Sequence, residues 1–177
     1  MPVQIGAKLD RGFDDPLGML CDCHRRIERF LRVLCEMARR AQGRALSQEE
    51  QDAVRAALHY FREGGERHNR DEEDSLFPRL RLAGAADDLR RVEALEHEHA
   101  DAGALHAAVN GLYTQWITAG ALNDEESREL LDATARLEAL YASHIAMEET
   151  VVFPHAAKLL DAGEIAAMGA EFRTRRS

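Results

Sequence analysis

Aromatic residues are scarce in this chain: one tryptophan, three tyrosines and six phenylalanines among 177 residues. Prolines number four, while Ala, Leu, Glu and Arg abound, so helix is favoured over strand. No apolar run reaches the roughly 18 residues that a membrane span needs, and no membrane partner is expected. Residues 1–14 lack the basic-then-apolar build of a secretory signal. The three cysteines, Cys21, Cys23 and Cys35, are odd in number and crowd one short stretch, too close together to staple distant segments. A reducing cytoplasm is the expected location. Basic residues are also in deficit, 23 Lys and Arg against 32 Asp and Glu. The resulting formal charge of -9 argues against a nucleic-acid partner, because phosphate binding needs a basic surface.

What the sequence does have is helical periodicity and helix punctuation. After an irregular lead (residues 1–14), Asp15 as cap and Pro16 in the first turn open a helix. Its apolar face runs through Leu20, His24, Ile27, Leu31 and Leu34, and Gly43 closes it. Ser47 with Glu50 makes a capping box for a second helix, which ends at Gly84. A third helix is predicted over residues 87–119, stopped by Gly120, and a fourth is capped by Asn123 with Glu126. Gly163 is read as the break before a short last helix, and residues 173–177 as a frayed basic tail. Four long amphipathic helices with short connections predict an all-α, up-down-up-down antiparallel four-helix bundle. On this reading the bundle spans residues 15–160, and 161–177 hold the C-terminal helix and tail.

One segment occurs twice. Residues 68–78 and 144–154 share the pattern H-x3-E-E-x2-[LV]-F-P, on the second and fourth helices. A histidine and a glutamate four residues later share one helix face, within reach of one ion, so His68 with Glu72 and His144 with Glu148 are candidate metal ligands. The second glutamates, Glu73 and Glu149, lie about 140° from their histidines and are expected in solvent. The other two helices contribute His24 and His99 from the middle of their apolar stripes, whereas His59 and His97 point outward. Counted at about 1.5 Å per residue, all six candidates fall at one level of one core. Four imidazoles and two carboxylates buried together make no sense as packing, because an unpaired buried carboxylate costs several kcal/mol; metal ions remove that cost. Mixed nitrogen and oxygen ligation without thiolates suits two iron ions, with manganese as the alternative, and both carboxylates bridging.

Other residues keep two readings. His106 is a core histidine or a proton relay, and Tyr141 is a core aromatic or a partner of the metal shell. Gly64 and Gly65 are a helix flaw or a ligand channel. Tyr113 reads as core, His155 as local or exposed, and Cys21 as a boundary residue or a redox participant near the metal level.

These residues resemble the hemerythrin-like, or HHE cation-binding, family. The resemblance rests on the stretch 23–31 (C-H-R-R-I-E-R-F-L), both H-x3-E-E-x2-[LV]-F-P segments and Glu98-His99, and covers about residues 15–160. It implies a non-haem di-iron centre with an oxo or hydroxo bridge. It also implies His24 and His144 on one iron, His68 and His99 on the other, and Glu72 and Glu148 across both. Oxygen carriers of the family place another histidine one turn along the third helix; here those positions are Leu95 and Gly103. Fewer nitrogens imply open metal positions, hence redox chemistry with peroxide, O2 or NO rather than reversible oxygen storage. Sensing or binding of O2, NO or iron, and iron storage or delivery including iron-sulfur centre repair, are the alternatives. The last resembles the bundle of repair proteins, which carry an extra cysteine-bearing module before it.

Overall fold

In the computed structural model, which describes residues 11–84 and 86–177, the punctuation signals sit where the helices start and stop. The Asp15 carboxylate accepts the Gly18 N–H, and α1 (Pro16–Ala41) follows with proline in its first turn. Gln42 and Gly43 end it in left-handed backbone. At Gly43 a side chain would also strike the Leu122 carbonyl at 2.7 Å, which accepts no Cβ. The Gly43 carbonyl in turn accepts the Leu122 N–H at 2.9 Å, tying the first loop to the last long one. Both capping boxes form, Ser47 with Glu50 before α2 (Gln48–Tyr60) and Asn123 with Glu126 before α6 (Asp124–Met147). Each is worth about 1 kcal/mol.

The second and fourth rods are not uninterrupted α-helices. The second runs from α2 through a π-turn (Phe61–Gly65), α3 (Glu66–Asp71), a further π-turn (Glu72–Leu76) and α4 (Phe77–Ala83). The third is the unbroken α5 (Ala86–Ala119). The fourth passes from α6 through a π-turn (Glu148–Val152) into α7 (Phe153–Leu159). Pro78 and Pro154 explain two of the interruptions. A proline inside a helix has no N–H to give and clashes with the carbonyl one turn back, and the wider turn just before it opens that ladder. Among the described residues there is no strand, and no helix is long and apolar enough to cross a membrane. The architecture is all-helical: α1 packs on α2 and α6, and α5 packs on α4 and α6.

The last helix, α8 (Ala162–Thr174), departs from the sequence reading twice. Gly163 lies inside it, and the helix is started by Asp161, whose carboxylate accepts the Glu164 N–H. The tail is not frayed. Arg175 and Arg176 both reach the fully buried Asp71, Arg175 at 3.0 Å, and Arg175 also donates to Ser75 at 2.6 Å. Arg79 holds the same helix from below, bidentate on Glu171 and bonded to Glu164. A buried carboxylate needs cations beside it, and charge composition alone did not reveal where that carboxylate lay.

The apolar interior is split in two. One cluster contains Ile27, Ala102, Tyr141 and Phe61, and the other Leu20, Leu95, Val152 and Leu76. Along each rod a histidine or a histidine–glutamate pair separates the two, so a polar layer crosses the core.

Candidate metal centre

That polar layer consists of His24 from α1, His68 and Glu72 from the second rod, His99 from α5, and His144 and Glu148 from the fourth rod. All six side chains are buried, three of them completely. They form two groups, each with donor atoms within 4.8 Å of one another and each able to hold a metal ion: His24, His68, Glu72 and Glu148, and Glu72, His99, His144 and Glu148. Each carboxylate turns one oxygen to each group. Glu72 Oε1 is 3.4 Å from His68 Nε2 and its Oε2 is 3.3 Å from His99 Nε2. Glu148 Oε2 is 3.0 Å from His24 Nε2 and its Oε1 is 3.2 Å from His144 Nε2.

The pairing implied by the resemblance, His24 with His144 and His68 with His99, is therefore corrected. The folded chain pairs His24 with His68, their rings 4.9 Å apart edge to face, and His99 with His144 at 4.8 Å. Spacing along one helix fixes height but not which neighbouring rod supplies the partner.

A second correction concerns the outer carboxylates. Glu149 Oε1 accepts from His24 Nδ1 at 2.9 Å and is itself held by Arg25. Glu73 Oε1 accepts from His99 Nδ1 at 2.6 Å, and Glu98 Oε2 accepts from His144 Nδ1 at 2.7 Å. Glu73 and Glu149, expected in solvent, thus each hold a histidine of an adjacent rod. Glu98 was quoted in the family resemblance but given no role; its signal was position, directly before His99. A proton fixed on Nδ1 leaves the Nε2 lone pair turned inward. His68 differs: its Nδ1 is buried without a partner. The Phe of each repeated segment covers a histidine of another rod, Phe77 stacking on His99 and Phe153 on His24.

The donor set fits a cation. Both oxygens of Glu72, both of Glu148 and His24 Nε2 are buried with no hydrogen-bond partner; the 3.0 Å approach of His24 to Glu148 is too poorly aligned to count as one. His99 Nε2 and His144 Nε2 face each other at 3.2 Å, although both rings already give their Nδ1 protons outward. Such groups are costly to bury unless something positive sits between them. Titration behaviour reflects the same crowding. Burial, and then the charge of Glu148, raises Glu72 well above the ordinary carboxylate range. Glu148 is pushed upward by burial too, but its contacts with His144 and His24 outweigh this and hold it below that range. Burial, reinforced by His24, drives His68 far down, while for His24 and His144 the attraction of Glu148 overcomes burial and raises both. Two carboxylates this close divide into one that keeps a proton and one that keeps its charge.

The remaining sequence candidates lie outside this layer. His59 and His97 are exposed, and His97 Nδ1 bonds the Glu93 carbonyl at 2.8 Å. His155 meets Asp88 at 3.1 Å. His106 bonds Tyr141 Oη at 3.0 Å and packs on Phe61. Tyr113 is core and donates to the Leu34 carbonyl. Gly64 and Gly65 fall in the first π-turn. Cys21 is partly exposed, with Cys23 and Cys35 buried, and all three are free thiols.

Two comparisons bear on this geometry. The family described as "Hemerythrin HHE cation binding domain" matches residues 15–156. An uncharacterised protein of Haemophilus influenzae is 29% identical over 168 residues, covering 93% of this chain and 91% of that protein.

Proposed function

This chain belongs to the hemerythrin HHE cation-binding domain family, and from that premise we propose a di-iron protein of oxidoreductase or detoxification type, reacting with peroxide, O2 or NO. The observation that carries the reading is the sharing of Glu72 and Glu148 between two groups of buried donors. We assign His24, His68, Glu72, His99, His144 and Glu148 as the ligands, with iron preferred to manganese. When bound, the two ions supply Lewis-acid and one-electron redox chemistry.

The chain's own residues set the conditions for that chemistry. Glu72 and Glu148 balance cationic charge and fix the spacing between the two positions. Glu149, Glu73 and Glu98 hold three imidazoles in orientation and in tautomer. Neither Leu95, buried in the apolar cluster, nor Gly103, without a side chain, supplies a further nitrogen, which favours positions open to a small ligand. The up-down-up-down bundle over residues 15–160, with 161–177 packed onto it, is supported by the contacts of α1 with α2 and α6 and of α5 with α4 and α6. Three free thiols suit a cytoplasmic setting.

The roles of the outer carboxylates give a direct expectation. Glu98→Ala should weaken metal binding about 10–100-fold in a chelator competition. Because Glu98 is partly exposed, water can take over part of its bond to His144, and folding stability should fall by about 1 kcal/mol. Unchanged affinity would remove Glu98 from the design. The functional class is tested by adding hydrogen peroxide to iron-reconstituted protein. Consumption over many turnovers per iron pair is expected. A single reversible spectral change with O2 or NO, and no turnover, would replace the reading by sensing or binding. Transfer of iron to a cluster-free iron-sulfur protein without either would replace it by storage or repair.

A further inference from the structure

A cavity of about 330 Å³ opens between the second rod and α5. That volume is at the lower end for small-molecule sites, which run from about 300 to 1,000 Å³. Its walls are thin. Ala102, Gly103 and Ala107 line it from α5, and Gly65 with Phe61 line it from the π-turn opposite. A Cβ added at Gly103 would meet nothing within 4 Å, so no packing contact requires a helix-weakening glycine there; its effect is open space. Small residues of α5 across from the Phe61 ring suit a flat guest.

The chemistry of the lining narrows the guest further. His106 and Tyr141 both line the cavity and are bonded to each other through His106 Nε2. No described group bonds His106 Nδ1, which leaves a hydrogen-bonding atom beside the apolar side chains of Leu58, Phe61, Ala102 and Ala107. Burial pushes His106 down to about 4, so the imidazole is uncharged near neutrality. A neutral imidazole can give or take a proton bond there according to tautomer, and a hydroxyl matches either. At the rim, Arg62 and Glu66 carry opposite charges beside Asn69 and Asn110, so no net charge selects an ion.

We propose that this slot binds a neutral aromatic molecule bearing one hydroxyl, of the phenol or naphthol class, with the ring between Phe61 and Gly103 and the oxygen on His106. The site goes beyond the metal reading and does not depend on it, although Tyr141 packs edge-on against His144 at 6.5 Å and places such a guest next to the centre.

Equilibrium dialysis of the metal-bound full chain against 2-naphthol, naphthalene and 2-naphthoate tests it. Saturable uptake of one 2-naphthol per chain is expected, with naphthalene and 2-naphthoate held at least about tenfold more weakly. Gly103→Leu, whose Cβ meets nothing within 4 Å, should fill the slot and abolish uptake while circular dichroism and metal content stay unchanged. His106→Phe should reduce 2-naphthol to the level of naphthalene. Chelation of the metal should leave binding intact. Equal binding of naphthalene, indifference to Gly103→Leu, or loss of binding on chelation from protein that stays folded would each overturn the proposal, the last by placing the naphthol oxygen on the metal.

Discussion

Replacing Glu72 with glutamine is expected to empty the centre of both metal ions and, in protein already stripped by a chelator, to raise the melting temperature. Glu72 offers one oxygen to each group of donors, so its loss removes a charged ligand from both. His68→Ala, which touches one group, should instead lower the content from two irons per chain to one or none. The stability change has the opposite sign because, without a cation, Glu72 is a buried carboxyl beside a second one, and none of the four oxygens has a hydrogen-bond partner. Relief of that penalty is worth about 1–3 kcal/mol, which in a chain of this size is about 2–4 °C per kcal/mol. The pH dependence follows from the raised folded-state pKa of Glu72. Below the ordinary carboxylate value both folded and unfolded chains are protonated there and nothing is lost. Above it the wild type loses stability progressively until the folded pKa is passed, whereas the variant does not. The advantage of Glu72→Gln should therefore grow from pH 5 to pH 7. Elemental analysis with thermal melts, with and without chelator, checks both halves. Retention of two irons would refute the bridging role.

The residues behind this expectation are legible in the sequence. A repeated His and Glu four apart, together with two lone histidines on apolar stripes, fixed face and height, and those are properties of a single helix. What a single helix does not encode is which neighbour lies across the core. The pairing of His24 with His68 depended on that, and so did the destinations of Glu73 and Glu149. The angle assigned to Glu73 turned it outward into solvent, whereas the side chain lies on the flank between two rods and bonds His99 Nδ1. The outer nitrogen of a metal-side imidazole points to just such a place, and a long carboxylate side chain reaches it from the next rod. Helix ends were legible because Ser47 with Glu50 and Asn123 with Glu126 act locally. The latch of the tail on Asp71 spans about a hundred residues and left no local trace.

The second large effect is expected at that latch. Arg175→Ala with Arg176→Ala should destabilise the protein by about 3–5 kcal/mol, because it strands a fully buried Asp71 without a cation. Asp71 stands between His68 and Glu72 in the chain, so the loosened turn should also weaken iron retention. Most of the cost should vanish in an Asp71→Asn background, where no charge remains to be stranded. Denaturant melts of the four proteins in that cycle measure the coupling directly. Equal losses in both backgrounds would mean that the arginines act through packing on Phe172 and not through the carboxylate.

The π-turns at Glu72 and Glu148 make the exact length of two rods a functional quantity. Each contains one residue more than an α-helical turn would use, with a proline shortly after. Deleting one residue between Glu72 and Leu76 would let the ordinary ladder close with the later side chains still facing as they do now, whereas deleting one just after Phe77, where the helix has no surplus, would swing every later side chain by about 100°. Leu80 would then leave the core. Short insertions in the loop at residues 42–47 carry no such consequence, since a loop absorbs slack where a rod transmits it.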